Sequence, residues 1–300
     1  MTYSRSNITL ALLANICAFF LWSLATLIFN ALSTIDNLQV LAFRIIFSMM
    51  FCGLLLILIP STWQIIRQLN KNEWQVLFIS SVLISSNWYL VIFSISLNQL
   101  SSASFGYFLA PLLSVALLKW RQKEGVTRAE MIAMSLCFLG AVIVVNERYT
   151  DSLPWISITI AVTFAYYSVL KKTKAIAPLA TLTVETGFAA VPALIFIVLN
   201  FTQLSFNFSA SQWGLLLSLG AITTLPILLY IGSVVFLSAT TIGLLQYLNP
   251  TLMLFVAIGI FGEDISTGVL RGFFILWSGI AVYGICSVYD TVNTTTARKN

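Results

Sequence analysis

Long apolar runs, nearly free of charge, alternate along this chain with short polar or charged breaks. A helix advances about 1.5 Å per residue, so crossing a hydrocarbon core of about 30 Å takes roughly 20 mainly apolar residues. Ten segments reach that length: 8–30, 38–59, 74–97, 101–120, 130–147, 153–171, 179–199, 213–236, 238–261 and 268–290. The pattern therefore predicts ten transmembrane helices. The apolar block from Trp74 to Trp120 is about 47 residues, too long for one crossing, and the break Asn98-Gln99-Leu100-Ser101-Ser102 marks a tight hairpin within it. Arg5 ahead of the first run imitates a signal peptide, but the run is long enough to span and lacks a small-x-small cleavage site, which predicts a retained helix.

Composition agrees. Hydrophobic residues make up 59% of the 300 positions and charged ones 8%, with a mean hydropathy of +0.96, where a soluble domain carries about 25% charged residues. That excludes an ordinary globular protein. The net charge of +5 is too small and scattered for a nucleic-acid stripe, and topology accounts for it better. With the N-terminus cytoplasmic, the cytoplasmic segments hold Arg5, Arg67, Lys71, Lys119, Arg121, Lys123, Arg128, Lys171, Lys172, Lys174, Arg298 and Lys299, twelve of the fifteen cations. The opposite face holds Arg148 and Arg271 with Asp36, Glu147, Asp151, Glu263 and Asp264, and Arg44 lies within a span. Both termini are thus expected inside.

The chain also repeats. Tyr107-Phe108-Leu109-Ala110-Pro111-Leu112-Leu113 resembles Gln246-Tyr247-Leu248-Asn249-Pro250-Thr251-Leu252, and Pro111, Glu124 and Gly140 are matched by Pro250, Glu263 and Gly279, each displaced by 139 residues. Weaker echoes link Phe19–Ser23 with Phe164–Ser168 and Ser85-Ser86 with Thr223-Thr224. The expected domains are two five-helix halves, 1–150 and 151–300. Five is odd, so the second half enters the membrane from the other side. Two inverted halves that rock about a site between them are a physical means of alternating access.

Asn87-Trp88, Ser104-Phe105-Gly106-Tyr107-Phe108 with Pro111, Glu185, and Gln246-Tyr247-Leu248-Asn249-Pro250-Thr251-Leu252-Met253 resemble the RarD branch of the drug/metabolite transporter superfamily, whose members carry two EamA repeats. The resemblance covers nearly the whole chain. It implies ten helices, a bacterial inner-membrane location and transport of a small molecule, and such proteins are commonly labelled chloramphenicol-sensitivity permeases. It carries over no set of binding residues, so the candidate sites rest on physical reading.

Arg44 and Glu185 are the charges most clearly inside spans, where charge is costly unless it faces the bundle interior or water. The bland alternatives are a structural pair or a snorkelling side chain. They occupy equivalent repeat positions, so inversion puts Arg44 about 9 Å below the outer face and Glu185 about 9 Å above the inner one. Their axial separation of about 12 Å disfavours a direct ion pair and favours each lining its own end of a pathway. Pro111 and Pro250 remove backbone donors in mid-helix, freeing the carbonyls of Tyr107 and Gln246; packing kinks are the competing reading. Tyr107, Gln246, Tyr247 and Asn249 surround the prolines and Asn87 lies mid-span, while Trp22, Trp88 and Tyr167 are candidate aromatic walls.

The remaining motifs point to bland roles. Cys17, Cys52, Cys137 and Cys286 form no CxxC pair and read as small buried residues. Gly268 and Gly272 read as packing at a helix entrance. The chain has no histidine, metal cluster or Walker A loop, so no enzyme, metal or cofactor is expected and ATP does not drive it directly. The expected function is secondary transport, as an exporter or exchanger of a small metabolite or amphipathic drug-like solute. A channel or facilitator and, last, an intramembrane enzyme are the alternatives. The expected partners are that solute and membrane lipids, with no nucleic acid; a homo-oligomer is permitted but not indicated.

Overall fold

The computed structural model describes residues 5–123, 127–148, 154–173, 176–237 and 239–297, and among them it is helical with no strand. In chain order the helices are α1 (Arg5–Ala31), α2 (Asn37–Leu58), α3 (Ser61–Arg67), α4 (Lys71–Ser96), α5 (Leu100–Gln122), α6 (Arg128–Arg148), α7 (Trp155–Thr173), α8 (Pro178–Leu199), α9 (Ala210–Val234), α10 (Ala239–Gln246), α11 (Leu248–Gly259) and α12 (Thr267–Ala297). Helix occupies each apolar segment of the sequence. Among the described residues seven helical stretches are long and apolar enough to cross a membrane, in α1, α2, α4, α5, α8, α9 and the α10–α11 pair; α6 and α12 contain shorter apolar stretches. Glu124, Asp151, Lys174, Arg298 and Lys299 lie outside the described residues, as does the side chain of Cys286.

Local chemistry sets the helix ends. Asp36 accepts from the Gln39 amide to start α2, and Asn70 with Glu73 and Ser209 with Gln212 form capping boxes for α4 and α9. Pro178 opens α8, where the missing donor costs nothing. The break between α4 and α5 is the tight turn read from the sequence, with Asn98 at φ +53°. The short α3 has no counterpart in the apolar pattern because only Thr62 and Ile66 are buried on it.

Polarity is distributed inside out. Ile57 and Leu199 are 75% exposed, whereas Asn15, Ser80, Asn87, Ser94 and Ser157 are fully buried. Water would reverse that arrangement, and lipid rewards it, because hydrogen-bonding groups then satisfy one another within the bundle. Cys52 and Cys137 are buried, but Cys17 is exposed, contrary to expectation, because it lies on the outward stripe of α1.

Two compact units divide the chain, residues 1–100 with 166–237 and residues 101–165 with 238–300. Each draws helices from both halves of the sequence. In the first, Asn15 bonds to Ser233 while Phe19 and Trp22 further along α1 meet Tyr230, so α1 and α9 are antiparallel. Phe43 meets Trp213, Phe47 meets Gly220 and Ser48 meets Thr223, so α2 and α9 are parallel. Met49 touches Thr186 and Cys52 reaches back to Thr183, so α2 and α8 are antiparallel.

In the second unit α6 and α12 pack antiparallel. As the α6 partner advances from Cys137 through Gly140 and Val144 to Glu147, its α12 partner retreats from Gly279 through Leu276 and Gly272 to Gly268. A Cβ at Gly140 would meet the Gly272 carbonyl oxygen at 2.6 Å and Leu276 Cγ at 2.8 Å. One at Gly279 would meet Cys137 Sγ at 2.8 Å and the Ala133 oxygen at 3.0 Å. The Gly268/Gly272 motif thus serves close helix packing.

Candidate functional site

A buried charge cluster forms in the first unit around Glu185. On α8 this residue is 2% exposed, and its carboxylate is ion-paired with Lys171 of α7 and accepts the Ser80 hydroxyl of α4. The Lys171 ammonium also donates to Ser80 Oγ at 3.1 Å and lies 4.8 Å from the centre of the Tyr167 ring. Tyr167 Oη stands 3.5 Å from the second carboxylate oxygen, and Ser81 donates to the Glu185 backbone carbonyl at 2.7 Å. Two charges in an apolar interior persist only when paired and hydrogen-bonded, and this cluster supplies both conditions.

Lys171, counted with Lys172 among the cytoplasmic cations, is a buried partner that the count did not single out. It is 4% exposed. Phe164, Tyr167, Ser168 and Lys171 recur at helical spacing and are all buried, so Lys171 extends the inward stripe of α7. Successive helix residues point about 100° apart, and Lys172 accordingly turns elsewhere, donating to the Val234 and Leu237 carbonyls at the end of α9 at 3.2 and 2.7 Å. Glu263 is likewise buried. It accepts the Ser101 amide at 3.2 Å and the Ser101 hydroxyl at the start of α5.

Arg44 belongs to a different cluster of the same unit. Its guanidinium lies 3.6 Å from the centre of the Trp88 ring and 5.6 Å from that of Phe29, with Arg44 2% exposed. Asn87 is buried beside Trp88 on α4. Two further hydroxyls lie at positions that the repeat flags. Ser85 on α4 and Thr224 on α9 each have a buried side-chain oxygen with no hydrogen-bond partner among the described residues.

The remaining candidates lie in the second unit. Tyr107 stands edge-on to Phe164 at 5.2 Å, and the Tyr247 ring lies 6.1 Å from Phe108. Gln246 ends α10, Tyr247 interrupts the helix, and Asn249 is buried, donating to Met253 Sδ at 3.4 Å. The two prolines behave differently. Pro111 sits inside an unbroken α5, whereas Pro250 is the third residue of α11, just past the interruption, and its carbonyl accepts from Ser104 at 2.8 Å. A cavity of about 20 Å³, room for about one water, lies between Pro111, Val115, Cys137, Gly243, Tyr247 and Gly279. Among the described residues no group of acidic, cysteine or histidine side chains could hold a metal.

Comparison with known proteins gives a consistent result. The model of the EamA-like transporter family matches the chain twice, over residues 9–146 and 153–285. An uncharacterized transporter of Pseudomonas aeruginosa is 30% identical over 285 residues, 93% of this chain and 95% of that protein. The protein RarD of Salmonella typhi is 28% identical over 292 residues (95% and 97%) and that of Escherichia coli 27% over 297 residues (97% and 98%). A protein of known crystal structure shares the fold at a TM-score of 0.66 and 19% identity, over 94% of this chain and 99% of that one.

Proposed function

The chain belongs to the EamA-like transporter family, a multi-pass membrane protein by its helices, and we propose that it moves a small solute by alternating access between two inverted five-helix halves, 1–150 and 151–300. Transport is secondary, with ten crossings and both termini on the cytoplasmic side of a bacterial inner membrane. We read the chain as an exporter or exchanger of a metabolite or amphipathic drug-like compound, a reading supported by the family and by the polar and aromatic groups of the interior.

The observation that carries this reading is the set of helix directions. Ten alternate crossings require α1 and α9 to be antiparallel, α2 and α9 parallel, α2 and α8 antiparallel, and α6 and α12 antiparallel, as the contacts within each unit have them. The short α6 and α7 must both cross or neither, since one alone would make α2 and α8 parallel. The α6–α12 contacts also exchange under the repeat. Displaced by 139 residues, Gly140 against Gly272 and Leu276 becomes Gly279 against Ala133 and Cys137. Reciprocal contact between antiparallel helices implies a two-fold axis across them, which for membrane helices lies in the membrane plane, as an inverted repeat requires.

Cysteine labelling tests the proposal after the exposed Cys17 is replaced. Asn207→Cys should react with an impermeant thiol reagent from outside intact cells and Lys71→Cys should not. Ser85→Cys, at the partnerless mid-helix hydroxyl, should react from either side of reconstituted vesicles. Cross-linking Met49→Cys to Gly187→Cys, on equivalent helices of the two halves, should then confine that reaction to one side. Reaction from both sides after complete cross-linking favours the channel reading, and labelling of Lys71→Cys from outside overturns the topology.

A further inference from the structure

Resting on the transporter reading, we infer that Lys171 and Glu185 form an exchange site for a small organic carboxylate, in which the solute takes over Lys171 while Glu185 takes up a proton. The pair is poised for exchange because elements of both sequence halves hold it. Lys171 and Glu185 lie on α7 and α8 of the second half, whereas Ser80 and Ser81, which donate to Glu185, lie on α4 of the first. Any motion of one half against the other that parts α4 from α8 removes those donors. Removing one partner of a buried pair strands the other, so a route through this cluster must supply a replacement for each charge it separates.

The surroundings select an anion as that replacement. The N-terminus of α8 opens at Pro178, two turns before Glu185, and its partial positive charge faces the same end. Ile66 of α3 shares an apolar cluster with Ala180 and Val184, so the basic end of α3 at Arg67 lies along the first turns of α8, its guanidinium 5.3 Å from the centre of the Trp63 ring. Positive charge at that end of α8 favours an anion over a cation. The ionisable groups around Glu185 are Lys171 and Tyr167 from α7, Tyr230 from α9 against Ser168, and Cys52 from α2 against Thr183 and Thr186; α4 presents the hydroxyls of Ser80 and Ser81.

The step balances without further reactants. The Lys171 ammonium leaves the Glu185 carboxylate and pairs with the solute carboxylate, and the Glu185 carboxylate takes up one hydronium proton from the solvent. Net charge in the site is zero before and after.

Titration calorimetry on the purified full-length chain at pH 7 tests this with benzoate as the probe, beside benzylamine and phenylalanine. Repeating the titration in buffers of different ionisation enthalpy counts the protons taken up. Benzoate should bind wild type with uptake of about one proton, and Glu185→Gln should bind it about tenfold more tightly, since no carboxylate competes for Lys171. Lys171→Met risks misfolding by stranding Glu185, so Lys171→Met with Glu185→Gln provides the neutral control. It should melt as a folded protein and bind benzoate at least about tenfold more weakly than wild type.

The inference is overturned if folded wild type does not bind benzoate, binds it without proton uptake, or binds it no better than the neutral control. It is equally overturned if phenylalanine binds and benzoate does not, since a zwitterion can satisfy both groups and needs no proton. The measurement involves no flux, so its failure leaves alternating access standing, and failure of the labelling experiment leaves this site standing.

Discussion

The contact between α6 and α12 gives the sharpest test of the architecture, through Gly140→Ala. The added methyl carbon would lie 2.6 Å from the Gly272 carbonyl oxygen and 2.9 Å from the Leu276 amide nitrogen, where ordinary contact begins at 3.4 Å. Neither atom is the end of a flexible side chain, so the helices must part locally by about 0.8 Å, enough to forfeit a quarter to a half of each contact they share. Overpacking of this kind costs about 1–3 kcal/mol. Against it stands the helix preference for alanine over glycine, about 0.8–1.0 kcal/mol. Gly53, on α2 with nothing within 4 Å of its would-be Cβ, isolates that preference. Gly53→Ala should therefore stabilise by about 1 kcal/mol and Gly140→Ala should fall about 1–3 kcal/mol below it. Gly279→Ala should lie between, because its nearest backbone atom is 3.0 Å away. The double variant Gly140→Ala/Gly279→Ala should cost less than the sum of the two, since one separation relieves both clashes. Reversible unfolding by sodium dodecyl sulfate in mixed micelles measures each value. Equal stabilisation by Gly140→Ala and Gly53→Ala would refute the close antiparallel contact and the two-fold relation drawn from it.

Two further predictions concern the interior. Pro111→Ala and Pro250→Ala should both reduce transport per folded molecule, the second more because Pro250 adjoins the α10–α11 interruption; normal flux in a well-folded double variant would leave the prolines a packing role. Among the charges, Lys171→Met and Glu185→Gln should each destabilise by about 3–5 kcal/mol, with most of the loss restored when combined. Arg44→Gln combined with Glu185→Gln should show no such restoration, because Arg44 rests on Trp88 and Phe29 and Glu185 pairs with Lys171; coupling in the Arg44 cycle would mean the two clusters communicate.

The ten apolar segments were legible as helices from the length of their runs, and helix occupies each, seven of the described stretches being long and apolar enough to cross a membrane. The five-residue polar break was legible as a hairpin for the same reason, since no single helix could absorb the block around it. The α10–α11 interruption was not. Pro111 and Pro250 have the same sequence neighbourhood, yet only the second copy breaks, and nothing in the sequence distinguished a proline tolerated within a helix from one in the first turn of a new one. α3 was invisible because a helix of seven residues carrying two buried side chains leaves no apolar run.

Charge was the harder problem, because counting it and locating it are different questions. The positive-inside count treated Lys171 and Lys172 as one feature, and a doublet at the end of a span gives a count no reason to separate them. Helical phase gives a reason. Phe164, Tyr167 and Ser168 already fix which face of α7 is inward, and one further turn lands on Lys171 and not on its neighbour. That face also carries Glu185's other contact, Tyr167. A search for inward-phased charge at the ends of spans, rather than for charge within them, would have found the second half of the pair. The same search explains why Arg44 was found and its surroundings were not. Its depth follows from the run it interrupts, whereas the faces of Trp88 and Phe29 reach it from two other helices, α4 and α1, whose registers against α2 only the folded chain fixes.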